Sequence, residues 1–63
     1  MEIGEAIKLL KEGKLVHRTN MSSSKYLKMI DGTIIMFVIK HGTVWNPKQE
    51  DLLAHDYKLY NVI

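Results

Sequence analysis

With 63 residues, no cysteine and a formal net charge of +2, the chain is expected to be one domain, 1–63, without disulfides or thiolate metal sites. A hydrophobic share of 46% and a charged share of 25% exclude a disordered chain. No apolar run reaches the roughly 20 residues that span a bilayer, and the amphipathic, mixed-charge start is not that of a signal peptide, so a cytoplasmic protein without a membrane partner is expected.

The first element reads as a helix from about Glu2 to Glu12. Ile3, Ala6, Ile7 and Leu10 fall on one stripe, and Gly13 is placed to end the helix in a left-handed conformation. Leu15 to Arg18 reads as a short strand, Thr19 to Ser24 as a polar loop, and Lys25 to Ile30 as a second strand. Asp31-Gly32 is a two-residue hairpin turn. Thr33 to Lys40 is the next strand, His41-Gly42 a further turn, and Thr43 to Trp45 a short strand. Pro47 suits the first turn of a short helix, Lys48 to Ala54, with Leu52 and Leu53 facing inward. Asp56 to Val62 closes the chain as a strand. The expected fold is α+β: an N-terminal helix on a small, mostly antiparallel sheet, with a short second helix before the last strand.

The strand Thr-Ile-Ile-Met-Phe-Val-Ile-Lys is apolar on both faces. Ile35, Phe37 and Ile39 alternate with Ile34, Met36 and Val38, whereas a sheet with one wet face alternates apolar with polar residues. The N-terminal helix can cover one face, and the second helix is too short to cover the other. A chain of this size buries only about 60% of its unfolded surface, so a second copy is the expected cover and a homo-oligomer the expected state.

No arrangement of residues points to catalysis. Ser22, Ser23 and Ser24 have no neighbouring base and no nucleophile-elbow glycines. Asp51 and Asp56 flank His55, but a helix first turn and a chain turn account for both carboxylates. The histidines have no metal-ligand spacing, and the scattered glycines form no phosphate loop. Neither a cofactor nor a metal is expected.

Binding has better candidates. The loop from Arg18 to Lys25 is dense in hydrogen-bond donors, and these two cations at its ends suit a phosphate. Met21 is an apolar residue within that polar loop and adapts to irregular partners. Trp45, beside Asn46-Pro47, offers a large stacking surface. Asn20, Asn46 and Gln49 supply polar contacts.

Two segments carry a resemblance. One is Ile3-Gly4-Glu5-Ala6-Ile7-Lys8-Leu9-Leu10-Lys11-Glu12-Gly13-Lys14 with the strand ending in Arg18. The other runs from Trp45 through Asp51-Leu52-Leu53-Ala54-His55-Asp56-Tyr57. Together they resemble the Thoeris anti-defence 2-like family across nearly the whole chain. The resemblance implies a phage or prophage protein that binds glycocyclic ADP-ribose, or a cyclic dinucleotide, without cleaving it. It also implies a dimer or dimer of dimers with pockets between chains. Arg18 matches the arginine of the family's R-x-x-W, and Met21 stands where its tryptophan is expected. Tyr57 replaces the closing tryptophan, while Trp45, Asp51 and Asp56 match.

The expectation is therefore a non-enzymatic protein that sequesters a cyclic nucleotide, with Arg18, Asn20, Met21, Lys25, Trp45, Asn46, Gln49 and Asp51 as ligand-binding residues. The alternatives are a small nucleic-acid-binding protein, disfavoured by the interspersed acidic residues, and a structural oligomer or host-protein interaction module.

Overall fold

The structure, a computed structural model, describes residues 1–61. Its elements run α1 (Ile3–Lys11), β1 (Val16–Arg18), β2 (Lys25–Ile30), β3 (Thr33–Val38), β4 (His41–Val44), α2 (Gln49–Leu52) and β5 (Tyr57–Leu59). The expected α+β architecture is present. The strands form one five-stranded sheet in the order β4-β3-β2-β1-β5, and every pairing is antiparallel. The final strand is shorter than the sequence suggests, and its expected end, Val62, lies outside the described residues.

Apolar spacing makes α1 amphipathic, and it presents Ala6 and Leu10 to the sheet, both fully buried. It packs mainly against β2, β1 and β5, where Val16, Leu27 and Tyr57 complete the buried core. Gly13 closes the helix at φ +87°, the left-handed position expected of it.

Asp31 and Gly32 both take positive φ, 50° and 78°, as a tight β2–β3 hairpin requires. The β3–β4 turn differs from expectation. Val38 pairs with His41, so the turn is Ile39-Lys40, and His41-Gly42 belongs to β4. Ile39 takes φ +60° there and no longer continues the Ile35–Phe37 face. Gly42 serves packing: a Cβ on it would lie 2.9 Å from Phe37 Cε1 and 3.0 Å from Ile35 Cγ2. The second helix is also shorter than expected. Lys48 is its N-cap, Pro47 precedes that cap, and the helix has no buried residue. Leu52 and Leu53 are 50% and 65% exposed, so neither faces inward as expected.

Cross-strand pairing sorts the sheet into two faces. Val16, Leu27, Met36 and Thr43 lie on the helix side. His17, Lys58, Tyr26, Phe37, Lys28, Ile35 and Val44 lie on the other. No helix among the described residues covers that second face. Its rings form a row in which Tyr26 stacks on Phe37 at 5.3 Å and on Tyr60 at 4.8 Å, and His17 meets Tyr60 edge-on at 5.0 Å. His17 Nδ1 is buried without a hydrogen-bond partner among the described residues. Burial, with the neighbouring Lys58 charge, lowers the His17 pKa and favours the neutral ring.

Candidate functional site

On the helix side of the sheet, beyond the reach of α1, lies an open cavity of about 410 Å³. Met36 of β3 and Thr43 of β4 belong to its sheet wall, and Lys25 enters from the start of β2. Asn20 and Met21 come from the β1–β2 loop, Trp45, Asn46 and Lys48 from the segment leading into α2, and Asp51 from α2 itself. The loop is shaped locally: the Met21 amide donates to the Arg18 carbonyl at 3.0 Å and the Lys25 amide to Ser22 at 3.0 Å. Tyr60 steadies its far side by donating its hydroxyl to the Ser23 carbonyl at 2.6 Å. Trp45 is fixed by its amide, which donates to the Ile34 carbonyl at 2.9 Å and extends the β3–β4 pairing by one residue.

Of the residues singled out in the sequence, Asn20, Met21, Lys25, Trp45, Asn46 and Asp51 line this cavity. They come from separate parts of the chain, and antiparallel pairing brings them together. Arg18 and Gln49 are not among its lining residues. Gln49 opens α2 and is exposed.

Arg18 stands behind the cavity wall. Its Nε donates to Asp56 Oδ1 at 2.9 Å and its Nη1 to Asp51 Oδ1 at 2.5 Å. Thr19 donates to the other Asp56 oxygen at 2.7 Å, and the Lys48 amide to the other Asp51 oxygen at 2.8 Å. The Tyr57 hydroxyl donates to the Asp51 carbonyl, and the Arg18 guanidinium lies 6.0 Å from the centre of the Tyr57 ring. This is a structural network that joins β1, α2 and β5.

Its electrostatics follow from these contacts. Hydrogen bonds from Arg18 and then Thr19 bring Asp56 down to about 2. The Lys48 amide, followed by Arg18, holds Asp51 below the usual carboxylate range despite its partial burial. The two carboxylates raise Arg18 further above its ordinary value. Burial and the Asp51 charge push the Tyr57 hydroxyl up. All four groups keep their ordinary charge states at neutral pH, and none is poised as a general acid or base. Among the described residues no three His, Asp or Glu side chains gather as a metal site would require.

Residues 1–60 match the family model of the Thoeris anti-defense 2-like domain. The chain belongs to the Thoeris anti-defense 2-like family. Among curated proteins none matched it. Within this Thoeris anti-defense 2-like chain, Met21, which stands where the R-x-x-W resemblance expects tryptophan, is a cavity residue. Tyr57, in place of the closing tryptophan, is core at 2% exposure.

Sequence reading did not single out Lys48, Met36, Thr43 or Val44 as lining residues of this cavity. Met36 and Thr43 belong to the sheet wall, Val44 borders the cavity from the end of β4, and all three become visible only once the β3–β4 register is known. Lys48 looks like an ordinary surface lysine in the sequence. Its signal is its place between Trp45 and Asp51, two residues that the sequence marks as site members.

Proposed function

We propose that this protein binds a cyclic nucleotide immune signal, glycocyclic ADP-ribose or a cyclic dinucleotide, and withholds it without cleaving it, as an anti-defence protein of phage or prophage origin acting in the bacterial cytoplasm. The supporting observation is the cavity that collects Met21, Trp45, Asn20, Asn46, Lys25 and Asp51 in one place. Trp45 and Met21 supply apolar surface for a base or ribose, the asparagines supply directional polar contacts, and lysine suits phosphate. Sequestration requires a fit and no reaction, which agrees with a network whose ionisable groups hold their ordinary charges.

A second copy completes the protein in this reading. Only Ala6, Leu10, Val16, Leu27 and Tyr57 are buried hydrophobics among the described residues. The face bearing Phe37, Tyr26, Ile35 and Val44 is uncovered, with Val44 66% exposed. Pairing such faces gives a homodimer, and the exposed Leu52 and Leu53 provide a separate apolar surface for a dimer of dimers. The aromatic row on that face also suggests single-stranded nucleic acid as a partner. The rings, however, stack on one another, which occupies faces that bases would need, so the row suits a protein surface better.

A thermal-shift panel of cyclic nucleotides tests the proposal. A ligand at ~100 times its dissociation constant stabilises the fold by about 2.7 kcal/mol. A response to glycocyclic ADP-ribose or to a cyclic dinucleotide supports the reading. A flat panel favours the structural-oligomer alternative.

A further inference from the structure

Arg18, the arginine that the sequence marks for phosphate, has its Nε and Nη1 committed to Asp56 and Asp51. Two carboxylates face that single cation, so the cluster offers an anion no net attraction. The cavity nevertheless contains cations. Lys25 enters from β2, and Lys48 from the segment before α2. Neither ammonium pairs with a carboxylate among the described residues. The Lys48 backbone is fixed by its N–H, which donates a hydrogen bond to Asp51 Oδ2, so the side chain departs from a set point at the cavity rim.

We propose that Lys25 and Lys48 are the anion-binding pair of this cavity, holding the phosphates of its ligand from separate walls, and that Arg18 acts on the ligand only through Asp51. The proposal rests on the reading that the cavity holds a phosphate-bearing nucleotide. Asp51 explains why Arg18 is needed. An unneutralised carboxylate in the cavity wall would repel phosphate, whereas one matched by Arg18 does not. Each carboxylate oxygen accepts more than one hydrogen bond, so Asp51 can still receive a ligand hydroxyl. Arg18 is then a positioning residue, and the ammonium groups make the contact.

The test is calorimetric titration with inorganic pyrophosphate and, separately, 3′,3′-cyclic di-GMP and glycocyclic ADP-ribose. Lys25→Met and Lys48→Met are each expected to weaken pyrophosphate binding about 10-fold or more while the thermal midpoint holds, since each removes a charge-assisted contact. Arg18→Met also weakens it, and adding Asp51→Asn to that variant restores affinity by removing the exposed anion. Failure of the unsubstituted protein to bind pyrophosphate, or full binding by Lys48→Met, overturns the proposal. No rescue by Asp51→Asn shows that Arg18 touches the anion itself and overturns its assignment as a positioning residue. Should Arg18→Met not fold, the lysine variants still decide the anion pair, and Arg18→Lys with Asp51→Asn replaces the rescue arm. Pyrophosphate binding that depends on both lysines, without binding of either cyclic nucleotide, supports the anion pair and rejects the nucleotide reading.

Discussion

Arg18 and Asp51 meet at 2.5 Å although 33 residues separate them in the chain. The contact ties the end of β1 to α2, a helix of four residues without a buried side chain. A helix this short has no stability of its own, so its position depends on such ties. Replacing Arg18 with alanine leaves Asp51 and Asp56 without their shared cation. The expected cost is about 2–3 kcal/mol in urea unfolding, the size of charge-assisted hydrogen bonds that are only partly shielded from water. Arg18→Lys should recover only part of it, because one ammonium cannot reproduce the two-pronged contact. An unchanged urea midpoint for Arg18→Ala would show that the network does not carry this load.

Acid should loosen the same network. The Asp56 pKa is about 2 in the folded chain against an ordinary 3.8. A carboxylate depressed by folding stabilises the protein above its unfolded pKa, and that contribution disappears as pH falls through the folded value. Stability should therefore drop between about pH 4 and pH 2, with Asp51 adding to the fall in the same direction. Asp56→Asn is expected to be less stable at pH 7 and to show a shallower decline over that window. Equal slopes for the two proteins in acid titrations followed by circular dichroism would count against this assignment.

Ile39 is a β-branched residue at φ +60° in a two-residue hairpin turn, and it is 68% exposed. The left-handed conformation costs such a residue roughly 1–2 kcal/mol, and glycine adopts it freely. Ile39→Gly is expected to raise stability by about 1 kcal/mol, read from the urea midpoint, with the pairing of Val38 and His41 preserved. A loss of stability would mean that the Ile39 side chain is buried in the assembled protein.

Gly42 has the opposite constraint. Its φ is ordinary, but Phe37 Cε1 and Ile35 Cγ2 occupy the space a side chain would need. Gly42→Ala should cost roughly 1–3 kcal/mol, the usual range for overpacking. It should also shift the Tyr26 and Phe37 ring resonances in NMR spectra, because Phe37 must move away from its stacking partner. Unchanged ring resonances would contradict this packing role.

The elements whose signals are local were legible in the sequence. The spacing of Ile3, Ala6, Ile7 and Leu10 gave α1, and Asp31-Gly32 gave the first hairpin. The second hairpin turns at Ile39-Lys40, two residues before the His41-Gly42 pair that looks like a turn in the sequence. Gly42 is in fact selected by a ring across the strand, a contact that no local pattern encodes. The helix α2 is shorter than its sequence suggests for a related reason: Leu52 and Leu53 have the apolar type of core residues, yet they are 50% and 65% exposed. Most of the cavity residues were readable by type, since Trp45 and Met21 are conspicuous beside polar neighbours. Arg18 shows the limit of such reading. Its charge is visible in the sequence, but the partners that absorb it lie 33 and 38 residues away.

Sequestration, as proposed, captures a cyclic nucleotide and gives it back unchanged. The protein should be incubated with glycocyclic ADP-ribose or a cyclic dinucleotide, separated from free ligand by ultrafiltration, and then heated to unfolding, with the released molecules identified by mass spectrometry. Depletion of at least one of these nucleotides from the filtrate, with its quantitative and chemically intact recovery after heating, is the predicted result. A filtrate that keeps all the nucleotide, or a heated fraction containing hydrolysis products, would contradict the account.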